Sequence, residues 1–165
     1  MDITINLKID SGKLSVVLVT IALVLFAFPL SALAVLGGDV TSVHSDKVRM
    51  KGTLRSTHTE IYTVHEILSP NGTTVREYIS PNGKIFAVVW HGPFIPNLRE
   101  LFGQYFEQYS KAAQTRNSIR PHMRGPLLIQ EPGLVVQTGG HMRAYFGKAY
   151  IPGMVPQGVH IEEIQ

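Results

Sequence analysis

The tetrapeptide Ser-Pro-Asn-Gly occurs twice, at residues 69–72 and 80–83, in the segment SPNGTTVREYISPNGKIFAVVW. Proline cannot adopt a positive φ, so neither copy suits the primed two-residue turn of tight hairpins. The sequence does suit a type I turn, in which serine accepts the closing hydrogen bond and glycine takes the left-handed fourth position. The repeat therefore predicts two hairpin turns, each with a three-residue loop and a glycine bulge, and not a repeated ligand site.

These turns predict which side chains lie opposite each other. The first turn places Glu66 opposite Arg76 and His65 opposite Glu77. A turn one residue tighter would set Glu66 against Glu77, and opposed like charges are unfavourable, whereas opposite charges gain up to ~1 kcal/mol. The bulged turn is therefore expected. By the same rule the second turn gives four further pairs: Ile79 with Ile85, Tyr78 with Phe86, Glu77 with Ala87, and Val75 with Val89.

Alternate strand residues share one face of a sheet, so this register also predicts two faces. The more apolar face holds a row of His65, Glu77 and Ala87 among Ile67, Val75, Ile79, Ile85 and Val89. The opposite face holds Val64, Glu66, Arg76, Tyr78, Phe86, Val88 and Trp90. We expect a helix to cover the first of these faces.

The rest of the chain indicates an α+β fold. Three strands are predicted between Ile61 and Trp90, and LLIQ, LVVQT and HMRAYFGKAYI are also strand-like, with a hairpin turn expected at Gly139-Gly140. Asn97 and Glu100 can form a capping box, and the residues up to Gln114 have helical apolar spacing. We therefore predict an antiparallel meander sheet of five to six strands, one long helix packed on one face and a short N-terminal helix ending at Gly52.

The N-terminus has the layout of a secretory signal. Residues 14–28 are uncharged and almost wholly apolar, Lys8 and Lys13 precede them, and Ala32 and Ala34 supply an A-x-A cleavage pattern. Fifteen apolar residues reach only ~22 Å, short of the ~30 Å hydrocarbon core of a membrane. We expect a signal peptide at residues 1–34 and one exported domain at 35–165, with an exposed basic loop at 115–126 and an irregular tail at 152–165.

Composition excludes several classes of protein. The chain has no cysteine, which rules out disulfides, thiolate metal sites and a cysteine nucleophile. Its net charge of +3 comes from 15 basic and 12 acidic residues without a run of either sign, so no nucleic-acid partner is expected. None of the seven histidines has the spacing of a helical or strand zinc site, so neither a metal nor another cofactor is expected.

One polar pair and a few other side chains are candidates for function. His65 and Glu77 could act as a general acid/base pair, or they could be a hydrogen-bonded pair that fixes the sheet register. No nucleophile or oxyanion donor can be placed beside them, which favours the structural interpretation. The candidate binding residues are Arg76, Trp90, His91, His141 and Arg143.

Four blocks carry a family resemblance: YTVHE at 62–66, VREYISPNGKIFAVVWHGP at 75–93, LFGQYF at 101–106 and GLVVQTGGHMRAYFGKAYIP at 133–152. Together they resemble the bacterial family of domain of unknown function 2844, whose mature start is also similar to LGG at 36–38. The resemblance implies an exported protein of Gram-negative bacteria. It implies no particular activity, cofactor or catalytic residue.

The expected function is therefore a non-catalytic binding or accessory module, periplasmic or secreted, with no stable membrane span after signal cleavage. Its partner would be an envelope protein or a small ligand. Two alternatives remain open: a small periplasmic enzyme that uses His65 with Glu77, and a structural or chaperone-like protein that docks through a sheet edge.

Overall fold

The computed structural model describes residues 36–39, 52–119 and 125–165. Seven strands in these segments form one antiparallel sheet: β1 Thr53–His58, β2 Thr63–Leu68, β3 Thr74–Ile79, β4 Ile85–Gly92, β5 Leu127–Glu131, β6 Leu134–His141 and β7 Ala144–Tyr150. Their spatial order is β1-β2-β3-β4-β7-β6-β5. A meander of β1 to β4 is thus joined at β4 to a second meander, with β1 and β5 at the two edges.

The α+β class is confirmed, but the predicted strand number of five to six was too low. The missed strand is β1, with the sequence TLRSTH, in which every residue except Leu54 is exposed. An edge strand of this kind buries almost nothing, so it lacks the apolar alternation by which strands are recognised.

Both Ser-Pro-Asn-Gly segments form the predicted turn. In the first, the amide of Gly72 donates to the carbonyl oxygen of Ser69 and the amide of Ser69 donates to that of Thr73, both at 2.9 Å. In the second, the amide of Gly83 donates to the carbonyl oxygen of Ser80 and the amide of Ser80 donates to that of Lys84, again at 2.9 Å. The two glycines have φ values of 84° and 78°, which is the left-handed position that the turn requires.

The predicted register is confirmed between β2 and β3 and corrected between β3 and β4. His65 lies opposite Glu77 and Glu66 opposite Arg76, as predicted. Ile79 also pairs with Ile85 as predicted, but the register then shifts, so that Tyr78 pairs with Ala87 and Glu77 with Val88. Phe86 is the extra residue of a β-bulge, and its carbonyl oxygen accepts a hydrogen bond from Ile151 instead. From Ala87 onward, each side chain of β4 therefore lies on the face of the sheet opposite to the predicted one.

The predicted turn at Gly139-Gly140 was wrong. Both glycines lie inside β6, and the hairpin turn is two residues later at Met142 and Arg143, whose φ is 63°. A Cβ on Gly139 would lie 2.7 Å from Cζ of Phe146 on β7. The glycine pair therefore allows neighbouring atoms to approach the strand closely. From the sequence alone, glycines with this role look the same as glycines in a turn.

The predicted long helix is present and contains one break. It consists of α1, Leu98–Phe102, a 3-10 turn at Gly103–Tyr105 and α2, Phe106–Ile119. Asn97 caps α1, since its side-chain oxygen accepts from the amide of Arg99 at 3.2 Å and its amide nitrogen donates to Glu100 at 2.8 Å. Because α2 continues to Ile119, the first residues of the loop predicted at 115–126 are helical.

The helix covers one side of the sheet, which we name the helix face. Phe102 is fully buried there, with its ring 5.8 Å from that of Trp90 and 5.1 Å from that of Tyr109. Beneath it lies an apolar cluster from five strands that includes Val75, Val88, Ile129, Leu134, Val136 and Ala149. The predicted side of the sheet is confirmed.

The opposite side is covered in part by the tail, residues 152–165, and we name it the tail face. The tail contains two 3-10 turns, Pro152–Met154 and Ile161–Glu163, in otherwise irregular chain. Its apolar residues pack on a second cluster formed by Tyr78, Phe86, Ala87 and Val89. Ile164 is buried in this cluster, so the tail is a packed part of the fold.

Two predictions fall on residues that the structure does not describe. The expected signal peptide, residues 1–34, lies outside the described segments. The same is true of the short N-terminal helix apart from its expected end at Gly52.

Candidate functional site

The predicted polar pair lies on the helix face. His65 and Glu77 are directly opposite each other on neighbouring strands, and Ser56 of β1 extends their row on one side. On the other side the row continues to Val88, where Ala87 was predicted, because the β-bulge shifts β4 by one residue. The side chain next to Glu77 is therefore larger than expected.

The surroundings of this pair are those of a packed interior. Glu77 is only 1% exposed and His65 is half-buried. The row continues from Val88 through Ala149 and Val136, which are buried members of the helix-face cluster. Neither His65 nor Glu77 lines the cleft that contains Arg76 and Lys148 or the smaller one that contains Tyr62 and His160. The arrangement is suited to a polar contact within the sheet.

Arg76 lies on the tail face and is held by two partners. Its Nε donates to Glu66 at 2.6 Å, and its Nη1 donates to the main-chain oxygen of Gln165 at 2.7 Å. The hydroxyl of Tyr78 donates to the same oxygen at 2.8 Å. Burial raises the pKa of Tyr78 above its ordinary value of 10.0, partly opposed by the nearby charge of Arg76. These contacts fix the end of the tail to β3.

Lys148 of β7 makes the matching contacts from the other side. Its ammonium donates to the carbonyl oxygens of Ile161 at 2.7 Å and Ile164 at 3.3 Å. In the paired strands Val89 separates Lys148 from Arg76, so the two cations flank one apolar residue on the same face. No Asp or Glu carboxylate of the described residues lies within ion-pair distance of Lys148.

A cleft of about 540 Å³ opens on the tail face beside the end of the tail. Its walls include Arg76, His91, Gln137, Phe146, Lys148 and Gln165. This volume lies in the range of ~300–1,000 Å³ that is typical of small-molecule sites. The cleft is lined by cationic, polar and aromatic side chains, and none of the described Asp and Glu side chains contributes to its walls.

Phe146 supplies the aromatic wall of this cleft. It pairs with Gly139 on one side and with the exposed His91 on the other, and its side chain is 44% exposed. Because Gly139 has no Cβ, the distal end of the phenyl ring can approach β6 closely at this residue. A flat apolar surface is thereby left open to the solvent next to two cations.

The five predicted binding residues are distributed as follows. Arg76 and His91 meet in the cleft. Trp90 borders it only from within the sheet, since its side chain is 1% exposed and packs against Phe102 on the helix face. His141 and Arg143 lie in or beside the exposed β6–β7 turn and do not line the cleft.

Sequence reasoning missed Lys148 and Phe146, the two side chains that complete the site. The segment AYFGKAY contained a usable signal, because residues two apart on a strand share a face. That signal would have placed the phenyl ring and the ammonium together. It would not have revealed that the tail packs beside them, since this contact joins residues far apart in the chain.

Two further properties bear on function. Among the described residues, no group of three or more His, Asp and Glu side chains is arranged to hold a metal ion. No helix in the same part of the chain has the length and apolar character that a membrane span requires.

Comparison with known proteins gives one match. No curated protein and no solved structure matches the chain. The family model described as "Protein of unknown function (DUF2844)" matches residues 32–164. This range contains every strand and helix described above. The chain therefore belongs to the family of domain of unknown function 2844, as its sequence blocks indicated.

Proposed function

We propose that the protein is an exported, non-catalytic binding module of a Gram-negative cell envelope, periplasmic or secreted, which holds its ligand or partner in the tail-face cleft. The observation that carries this proposal is the convergence of Arg76, His91, Phe146 and Lys148 in one open concave site. Ligand sites are typically concave and mostly apolar, with a few convergent polar groups.

The export part of the proposal rests on the sequence of residues 1–34. Support comes from the family match, which begins at residue 32 and so leaves the whole apolar segment, residues 14–28, outside the shared domain. Expression in a Gram-negative host followed by intact-mass measurement of the periplasmic fraction tests it. We expect a chain that begins at Val35. Recovery of the uncleaved chain in the cytoplasm or membrane would contradict export.

The binding part can be tested by capture. Immobilised protein is exposed to a Gram-negative envelope extract, and the retained species are quantified. Phe146→Ala should reduce retention about tenfold, as expected for truncation of one aromatic anchor. Leu128→Ala is the matched control, because Leu128 is 52% exposed and does not line the cleft. Equal retention by the wild type and both variants would contradict the proposal.

A catalytic role for His65 and Glu77 is the second candidate, and the register that places them opposite each other favours it. His65→Ala and Glu77→Gln separate the two functions. In the binding account both variants retain the captured species and lose only folding stability. Conversion of that species by the wild type, abolished in both variants, would favour the enzyme.

A further inference from the structure

The chemistry of the tail-face cleft indicates which class of ligand it takes. We propose that it binds a small molecule with a carboxylate attached to a flat apolar ring. This inference rests on the proposed function of the same cleft. It is carried by the positions and remaining hydrogen-bonding capacity of the two cations and by the open phenyl ring beside them.

The charges that line the cleft favour an anion. Arg76 and Lys148 line the cleft together with His91, and no Asp or Glu side chain of the described segments lines it. Glu66 does not line the cleft, and its carboxylate balances the charge of Arg76. Among the described residues, the ammonium of Lys148 is held only by carbonyl oxygens. A half-buried ammonium that is held by dipoles and by none of the described Asp and Glu carboxylates favours an anionic ligand, because the anion replaces the hydration that the ammonium has lost.

The two cations of the cleft keep hydrogen-bond donors for a ligand. A guanidinium has five N–H groups and an ammonium has three. Arg76 uses Nε–H and one N–H of Nη1 for the described contacts, which leaves the other N–H of Nη1 and both of Nη2. Lys148 uses two of its three. The remaining donors belong to side chains that flank Val89 on one face. Charge-assisted hydrogen bonds of this kind are matched by the two oxygens of a carboxylate.

The shape of the cleft favours a flat ring. The distal end of the phenyl ring of Phe146 lies against Gly139, and the residue is 44% exposed. Buried Val89 forms apolar surface between the cations. A flat ring can stack on Phe146 in an offset arrangement, which contributes about 0.5–1.5 kcal/mol beyond the area that it buries. Charge at one end of the cleft and a flat surface at the other therefore select an aromatic carboxylate over an anion without a ring.

The test uses benzoate as the probe, with benzyl alcohol and acetate as matched controls. Benzyl alcohol keeps the ring without the charge, and acetate keeps the charge without the ring. Amide chemical shifts of the purified, ¹⁵N-labelled protein are followed during each titration. We expect benzoate to shift residues 89–91 and 146–148 and to bind about tenfold more tightly than either control. Equal affinity for benzoate and benzyl alcohol, or for benzoate and acetate, would overturn the inference.

Variants assign the two ends of the ligand. Lys148→Gln keeps a donor for the tail carbonyl oxygens and removes the charge, so benzoate affinity should fall about tenfold while that for benzyl alcohol stays the same. Lys111→Gln, on the exposed side of α2, is the charge-matched control. Phe146→Ala should weaken both ring-bearing probes. If Lys148→Gln unfolds, raising the salt concentration for the wild type replaces it, because salt should weaken the binding of benzoate and not of benzyl alcohol.

The outcomes separate this inference from the proposed function. If no probe shifts the cleft but capture from the envelope extract still depends on Phe146, the ligand class is wrong and the binding site stands. Preference for an acidic peptide over benzoate would likewise overturn the ligand class and leave the site in place. If capture does not depend on Phe146 at all, the proposed function fails first.

Discussion

At the scale of single residues, Trp90 shows how tightly the helix face is packed. Its indole lies over Gly147 of the neighbouring strand β7, and a Cβ added to that glycine would overlap the indole ring. The indole also packs against Phe102 of α1, with the two ring centroids 5.8 Å apart. Trp90 is thus packed between the helix and the sheet, and the position opposite it on β7, Gly147, accepts only glycine.

Gly147→Ala should therefore destabilise the protein by about 3 kcal/mol, since the overlapping atoms are those of a rigid ring in a packed core. The measurement is the free energy of unfolding from a denaturant titration. Gly153→Ala is the control, because a Cβ there meets nothing within 4 Å, and it should change stability by less than about 0.5 kcal/mol. Equal effects of the two substitutions would show that the indole does not occupy this position.

Tyr78 gives a prediction about pH. Burial raises the pKa of its phenol above 10.0, so the folded state holds this proton more tightly than the unfolded state does. Its contribution to stability is therefore complete below pH 10 and is lost as pH rises through the folded pKa. A phenolate could also no longer donate to the main-chain oxygen of Gln165.

Tyr78→Phe checks this assignment. The variant should lose about 1 kcal/mol at neutral pH, where one hydrogen bond is removed, and its stability should fall less steeply than that of the wild type above pH 10. Denaturant midpoints at several pH values between about 8 and 11.5 measure both effects. Identical slopes above pH 10 would assign the loss to other groups, among them Tyr109, whose pKa burial also raises.

At the scale of elements, the tail acts as a cover for the sheet although it has little regular structure. Arg76, Tyr78 and Lys148 all donate to its main-chain oxygens, and its own Ile164 is buried against the sheet. Its position also forms one wall of the cleft, where Ile164 and Gln165 meet the side chains of β3 and β7. The tail therefore both stabilises the fold and shapes the candidate site.

Ile164→Ala should cost about 2–4 kcal/mol, because it removes buried atoms and leaves a cavity in the tail-face cluster. Glu163→Ala, at an exposed neighbouring position, should be close to neutral. Thermal unfolding of the two variants and the wild type provides the comparison. A stable Ile164→Ala variant would indicate that the tail contributes little to this face.

The elements also show which parts of the fold a sequence can predict. The first turn and the pairing of β2 with β3 followed from local chemistry, since proline, glycine and opposed charges act over a few residues. The shift at Phe86 did not, because the bulge is stabilised by a bond from Ile151, which is distant in the chain. The same holds for the site. Arg76 and His91 were predicted as binding residues from the sequence, but their proximity to Lys148 depends on the pairing of β4 with β7, which the sequence did not reveal.

At the scale of the whole molecule, the LGG segment at residues 36–38 is part of the core. Leu36 is fully buried, and its amide donates to the carbonyl oxygen of Leu101 at 3.0 Å. The amide of Gly37 donates to the carbonyl oxygen of Ile85 at 2.8 Å, and the amide of Ile85 donates to the carbonyl oxygen of Gly38 at 3.0 Å. The LGG segment therefore connects the helix with the first residues of β4.

Leu36→Ala should lower the free energy of unfolding by about 2–4 kcal/mol, as for other buried leucines. Leu128→Ala serves as the exposed control and should be within about 0.5 kcal/mol of the wild type. Denaturant titration of the purified proteins measures the difference. An unchanged stability for Leu36→Ala would contradict the position of the LGG segment in the core.

The central claim is that the tail face, and not the helix face, is where the protein meets its ligand or partner. Amide shift mapping with the species captured from the envelope tests this most directly, since it locates the contact without any substitution. The account predicts that the largest shifts fall on Val89, His91, Phe146 and Lys148. Shifts concentrated instead on Ser56, His65 and Glu77 would contradict it and would place the functional site at the buried polar pair.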